Sequence, residues 1–440
     1  MSERWARAML STYRWMGAAV YPLIGGYVAW RASRGKEETS RRKERYGKTQ
    51  FARPPGPLIW MHAASVGETV SVVPLIEHIL SHRINIVLTT GTVTSAQVAR
   101  ERLGERVIHQ YVPLDLKPAV SRFLDHWVPD LAIIAESEIW PMTILELGAR
   151  RVPQILVNGR LSDNSFANWK KRSYLAEALF ENLSHVVAQS EVDAERFRVL
   201  GARPVTVSGN LKVDAPAPPV DQAQLDQLVD QIGPRPVWAA VSTHDGEEVI
   251  AGRVHARLKA RHRDILTVIV PRHPERAETI ASDLAQLGLK VVRRTSGAPI
   301  EADTDVFLGD TIGEMGLYLR LTEIAFVGRS LTWEGGQNPL EPAMLETAVL
   351  AGRNVQNFRD SYQKLLESGG AKLVRDEEML AGAVNYLLGN DPVRRAMMRS
   401  GAQTVEDMRG ALARTTEALE PFIQPLVVKS RLHGRNGNDG

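Results

Sequence analysis

Val213-Asp-Ala-Pro-Ala-Pro-Pro-Val220 places three prolines in a run of small residues. Proline removes a backbone donor and fixes φ, so neither a strand nor a helix interior accepts such a run. It reads as a linker. The 440 residues are too many for one ordinary domain, which places one domain on each side. Upstream, Leu58–His62 reads as a strand, Thr69–His82 as a helix and Ile84–Thr90 as a strand. Val107–Val112, Leu131–Ala135, Gln154–Asn158 and His185–Ala188 continue the strand series. Downstream the pattern restarts with Val237–Val241, Leu266–Val270, Lys290–Val292, Val306–Leu308 and Ile324–Val327. Helices such as Glu247–Ala260 and Arg276–Gln286 lie between them. Continuous apolar strands separated by helices imply parallel sheets covered on both faces. The expected class is therefore α/β, with Rossmann-like doubly wound domains at 35–213 and 221–425 and a linker at 214–220. Ligands of such sheets bind beside the strand C-termini, here in an interdomain cleft.

Composition narrows the chemistry. The chain has no cysteine, which excludes disulfides, thiolate catalysis and thiolate metal sites. A net charge of +3 is too small to imply a nucleic-acid partner. Its distribution is uneven. Met9–Trp30 is apolar and aromatic, and Arg31, Arg34, Lys36, Arg41, Arg42, Lys43, Arg45 and Lys48 follow it against only three glutamates. The basic run lies after the apolar stretch and no A-x-A site follows, so a cleavable signal peptide reads poorly. Trp15–Trp30 is slightly short of the about 20 apolar residues of a full span, with Pro22 in its middle. The aromatics suit a headgroup boundary and the basic run an anionic cytoplasmic leaflet. The competing reading is a buried core helix with a solvated basic continuation, but the charge asymmetry favours a membrane anchor over 1–34. The tail, 426–440, reads as disordered.

Neither half contains G-x-G-x-x-G, and no G-x-x-x-x-G-K-[ST] or H-E-x-x-H occurs. The informative residues are the polar clusters at strand ends. In His62-Ala-Ala-Ser-Val-Gly-Glu68, a first-turn carboxylate faces the positive end of a helix dipole, which favours its ionised form. Glu68 is then suited to take a proton from an attacking hydroxyl, although from this stretch alone it is better explained as a dipole partner or helix cap. Glu136-Ser-Glu-Ile-Trp-Pro141 offers two carboxylates suited to bind a cation, orient a substrate or stabilise positive charge. On non-helical backbone such pairs more often make structural hydrogen bonds. Asn158-Gly-Arg-Leu-Ser162 offers amide, guanidinium and hydroxyl groups in one loop, and Gly209-Asn-Leu-Lys212 a lysine able to meet a phosphate. In the second half, Ser242-Thr-His-Asp-Gly-Glu-Glu248, Pro271-Arg-His-Pro-Glu275, Asp310-Thr-Ile-Gly-Glu-Met315 and Gly335-Gly-Gln-Asn-Pro-Leu-Glu-Pro342 lie between strand and helix. Such junctions present backbone N–H groups to a phosphate. Arg272 adds a charge-assisted hydrogen bond, and Glu341 can accept from ribose hydroxyls. Each loop alone is explained by turn and capping chemistry; their joint occurrence points to a nucleotide.

Taken in order, these loops resemble the 3-deoxy-D-manno-oct-2-ulosonic acid (Kdo) transferases, from the N-terminal segment to about Phe422. The resemblance implies an inverting GT-B glycosyltransferase. It would move Kdo from CMP-Kdo to the lipid A precursor on the cytoplasmic face of the bacterial inner membrane, with no metal and no cofactor. Glu68 then matches the general base, and Glu136 and Lys212 match positions expected to stabilise the transition state. Pro271, Arg272, Ile312, Gly313, Glu314, Asn338, Pro339, Leu340 and Glu341 match CMP-binding segments. An anchor would hold the site beside a lipid acceptor. Three departures stand out: Gln337 where the family usually has His, Arg329 where it has a second Gly, and Gly352-Arg-Asn-Val-Gln-Asn-Phe358 where it reads Gly-Pro-His before Asn-Phe. Gln337 and Asn354 still hydrogen-bond but cannot titrate. The alternatives are another GT-B transferase or an epimerase using a UDP-sugar, which nucleotide binding would discriminate. A non-catalytic, membrane-bound nucleotide-binding protein is the third reading. Against it stand Glu68, Glu136, Lys212 and Arg272, which such a protein does not need together.

Overall fold

The computed structural model describes residues 37–436, with Gly26 and Ala32 as isolated points before them. Most of the expected anchor therefore lies outside the described residues. Among those described, no helix is long and apolar enough to cross a membrane. The chain forms two compact units. The second is Pro216–Met408, while the first runs to Ala215 and resumes at Arg409.

The first unit carries β1 (Leu58–Ala63), β2 (Asn85–Thr90), β3 (Ile108–Tyr111), β4 (Leu131–Ala135), β5 (Gln154–Gly159), β6 (His185–Ala188) and β7 (Val205–Val207). They form one parallel sheet in the order β3-β2-β1-β4-β5-β6-β7. Successive strand residues point to opposite faces, so Leu58 and Trp60 enter one buried cluster while Ile59 and Met61 enter another. Both faces are covered, which is why the strands read as unbroken apolar runs.

The second unit repeats the plan with β8 (Val237–Thr243), β9 (Leu266–Pro271), β10 (Val291–Arg293), β11 (Val306–Leu308), β12 (Ile324–Val327), β13 (Ala348–Ala351) and β14 (Ala371–Leu373). Their order is β10-β11-β9-β8-β12-β13-β14, again parallel. In each sheet the strand order reverses once beside the first strand, between β1 and β4 and between β8 and β12. Open α/β sheets bind ligands beyond the strand C-termini at that point. The polar loops read from the sequence leave these strand ends.

Two sequence expectations need correction. The second domain does not extend to 425, and 426–440 is not a disordered tail as far as it is described. Ala411–Asn436 is one helix belonging to the first unit, despite Pro421 and Pro425 within it. Leu419, Ile423, Leu426 and Val427 share its buried face and join the cluster around Val72, Leu75 and Ile79. Each such side chain contributes about 1.5–3 kcal/mol, so the proline-rich segment is held by the sheet face it covers. The expected linker is also taken up at its ends. Asp214 accepts from the backbone N–H groups of Gly410 and Leu412, and Pro218 O accepts from Arg320 at 2.9 Å.

The second correction concerns the basic run. Arg41 pairs with Glu44 and Arg45 with Glu37, each at 2.9 Å. Arg45 is buried and also donates to Gly91 O and Val112 O, and both guanidinium groups lie over the Tyr111 ring. These two arginines fasten the Thr39–Tyr46 turn to the ends of β2 and β3 and are unavailable to lipid. Arg42, Lys43 and Lys48 remain exposed.

Candidate active site

The loops after β1 and β4 meet because those strands are paired neighbours in the sheet. Ser65 caps the helix Val66–Ser81 by accepting from Glu68 N, which starts the helix three residues earlier than its apolar pattern alone indicates. Glu68 folds back over that cap: Oε2 accepts from Ala64 N and Oε1 from Ser65 Oγ, both at 2.8 Å. The capping reading is thus correct, yet it does not exhaust the residue. Burial, then the nearby Glu136, push the Glu68 carboxyl up to about 7, against the Ser65 hydrogen bond. Desolvation therefore acts against the helix N-terminus, and Glu68 is ionised near neutrality only in part.

Glu136 follows β4 in a left-handed conformation, φ 58°, which is uncommon for a residue with a side chain. Its N–H is anchored on Val157 O at 2.9 Å, and its Oε1 lies 2.5 Å from Lys212 Nζ. Lys212 comes from the Leu211–Val213 turn, whose Asn210 cap accepts from Lys212 N. A Cβ on Gly67 would stand 3.9 Å from Lys212 Nζ, so the lysine ends against the residue preceding Glu68. The three residues matched to catalysis are thus brought together. Glu138 joins them; burial, then Glu136, raise its pKa, against a hydrogen bond from Trp140.

His62, near the end of β1, is buried. Its Nδ1 is 3.1 Å from Thr89 O, an atom that only accepts, so Nδ1 carries the proton and Nε2 the lone pair. Burial lowers its pKa to about 4, which keeps it neutral. Its ring lies 4.9 Å from Trp140.

In the second unit the reversal point is built differently. Ser242 and Arg329, at the ends of β8 and β12, are both left-handed, with φ 53° and 54°. The buried Glu247 carboxylate accepts from four backbone N–H groups: His244 and Arg329 on Oε2, Ser330 and Leu331 on Oε1. A cradle of amides suited to an anion is therefore already filled by the protein's own carboxylate. Gln337 Nε2 donates to His244 Nε2 at 3.0 Å. Burial, then Arg329, His273 and Arg272, lower the His244 pKa to about 4.

The matched nucleotide residues fall into distinct surroundings. Pro271 ends β9 and is buried, while Arg272 is exposed, its N–H held by Thr243 O at 3.0 Å. Ile312 and Gly313 are exposed, Gly313 at φ 87° with open space around it. Glu314 turns inward to Arg294, Thr311 and Tyr318; burial alone would raise its pKa, but these hydrogen bonds hold it low. Asn338 caps the next turn through Leu340 N and donates to Glu341 at 3.3 Å. Leu340 is wholly buried, backbone and side chain alike, so it supports this turn from within. Sequence reading missed Glu247 as an individual residue, although it lies within the Ser242–Glu248 loop. Among the described residues no group of three or more His, Asp or Glu is arranged to hold a metal ion.

Residues 40–215 match the family model described as 3-deoxy-D-manno-octulosonic-acid transferase. A Haemophilus influenzae protein named 3-deoxy-D-manno-octulosonic acid transferase is 33% identical over 414 residues, covering 92% of this chain and 96% of that one. Among solved structures, a glycosyltransferase from Rickettsia africae aligns with a TM-score of 0.59 at 14% identity, over 84% of this chain and 99% of that one. An S. aureus protein solved with UDP aligns with a TM-score of 0.60 at 13% identity, over 84% and 97%. At such identities the structural likeness is one of fold.

Proposed function

We propose the following reaction from one premise: the chain belongs to the 3-deoxy-D-manno-octulosonic acid (Kdo) transferase family. It is a glycosyltransferase that moves Kdo in lipopolysaccharide synthesis. The donor is CMP-Kdo, the acceptor is the lipid A precursor lipid IVA, and the anomeric configuration is inverted. Glu68 removes the proton of the acceptor hydroxyl. A carboxyl raised to about 7 is a stronger base than a solvated one and is substantially ionised at neutral pH, which is the compromise general-base catalysis requires. The transition state carries an oxocarbenium-like sugar and a departing CMP phosphate. Lys212 offsets the developing phosphate charge, and Glu136 both orients Lys212 and favours the cationic sugar. In the second unit, Arg272 meets the CMP phosphate, the exposed Ile312–Gly313 backbone and the Asn338–Leu340 turn line the nucleotide, and Glu341 accepts from its ribose. Residues 1–34 act as a membrane anchor on the cytoplasmic side of the inner membrane, where a lipid acceptor is reached without leaving the bilayer.

The observation that carries the reading is the convergence of Glu68, Glu136 and Lys212 at the point where the first sheet reverses its strand order. The test is direct. Purified protein is incubated with CMP-Kdo and lipid IVA and the lipid is weighed by mass spectrometry. A mass gain of one or more Kdo units supports the assignment, and an unchanged lipid with consumption of a UDP-sugar instead refutes it.

A further inference from the structure

Asn158 takes no part in the reaction above, yet its setting is costly. Its side chain is fully buried, its backbone is left-handed at φ 53°, and its Nδ2 has no hydrogen-bond partner among the described residues. The register of β5 on β6 slips at the same place: Leu156 pairs with Val186 and Gly159 with Ala188, so two residues of β5 oppose one of β6. Such a bulge re-aims a side chain, and strained backbone of this kind persists where the surrounding structure imposes it. Here the re-aimed Asn158 Oδ1 accepts from Leu211 N at 3.0 Å, and its carbonyl accepts from Gln189 Nε2 at 3.0 Å.

Leu211 opens the turn that carries Lys212. The buried side chains of Leu211 and Val213 fix how deep that turn sits. The Asn158 bond fixes where its backbone stands against the end of β5. The next residue back, Val157, holds Glu136 N on its carbonyl. A closed path results: Glu136 to Val157, Asn158, Leu211 and Lys212, then through the 2.5 Å ion pair back to Glu136. We propose that Asn158 is a positioning residue that sets the Lys212 ammonium on Glu136. The proposal rests on the catalytic roles given above to Lys212 and Glu136. A long, flexible lysine holds one geometry only if its backbone is fixed, and a displacement on the order of 1 Å at such a group lowers turnover by about 10- to 100-fold.

The test is Asn158→Gly alone and combined with Lys212→Ala. Glycine accepts the left-handed backbone, so the substitution removes the hydrogen bond without adding strain. The expected result is a kcat about 10- to 100-fold lower with an unchanged KM for CMP-Kdo. In the Lys212→Ala background Asn158→Gly should lower kcat no further, because it acts through the missing lysine. Wild-type kcat in Asn158→Gly overturns the proposal, as does an equal loss in both backgrounds. So does a fall in Tm with normal turnover of the folded fraction. Wild-type turnover in Lys212→Ala alone removes the role of Lys212 itself, and the proposal with it.

Discussion

The two sheets reverse their strand order in the same way and carry left-handed, non-glycine residues there, Glu136 in one and Ser242 and Arg329 in the other, yet the side chains gathered at the two ends differ. The first brings Glu68, Glu136 and Glu138 near one another, with Lys212 paired to Glu136, and burial together with repulsion raises the carboxyl groups of Glu68 and Glu138. The second surrounds a neutral His244 with Arg329, Arg272 and His273 and turns its buried Glu247 inward onto backbone amides. One end is arranged to accept a proton and the other to attract an anion. A shared scaffold therefore does not dictate shared chemistry; the loops beyond the strands do.

The largest effect is expected for Glu68→Gln. Removing the base should slow single-turnover transfer by roughly 10²- to 10⁴-fold while CMP affinity stays unchanged. The same variant tests the electrostatics. The folded Glu68 carboxyl, at about 7, stands well above the ordinary value of a glutamate, 4.5. Its contribution to stability is therefore fully present below the unfolded value and is lost as pH rises through about 7. Glutamine does not titrate, so the difference in Tm between variant and wild type should move in the variant's favour from pH 4 to pH 8. A variant that melts early but transfers at the normal rate would leave Glu68 a cap and nothing more.

Arg272→Ala addresses the other end. Loss of a charge-assisted hydrogen bond of about 1.5–3 kcal/mol should weaken CMP binding by roughly 10- to 150-fold. Titration calorimetry giving wild-type affinity would take Arg272 out of the nucleotide site. The smallest effect is expected for Glu138→Gln. Taking one like charge from beside Glu68 lowers the pKa of the base, so the acidic limb of the kcat profile should move to lower pH. At pH 6, rate relative to the optimum should rise by about two- to threefold; an unmoved limb would uncouple Glu138 from the base.

Much of this arrangement was legible in the sequence. Apolar runs such as Leu131–Ala135 could only be strands covered on both faces, and His62–Glu68 and Glu136–Pro141 followed such runs directly. The edge strands Val205–Val207 and Ala371–Leu373 were not read, because each offers three residues and no periodicity, although the equally short edge strand at Val291–Arg293 was. The raised pKa of Glu68 was not legible, because a helix dipole is visible in sequence and desolvation is not. Arg41 and Arg45 looked like membrane-facing charge because their partners, Glu44 and Glu37, are short-range, while the carbonyls of Gly91 and Val112 that Arg45 meets lie far along the chain. Asn158 stood in a polar loop like any other, and only the register slip gives it a role.

The helix Ala411–Asn436 has a consequence for the order in which this protein is made. The chain leaves the first unit at Ala215, builds the whole of the second, and only then returns at Arg409. The strip around Val72, Leu75 and Ile79 that Leu419, Ile423 and Leu426 cover must therefore wait, greasy and unsatisfied, while nearly two hundred further residues (216–408) leave the ribosome. The second unit meets no such delay. Synthesis thus completes the second unit before the first, and the earlier-made unit is the one that carries exposed apolar surface meanwhile.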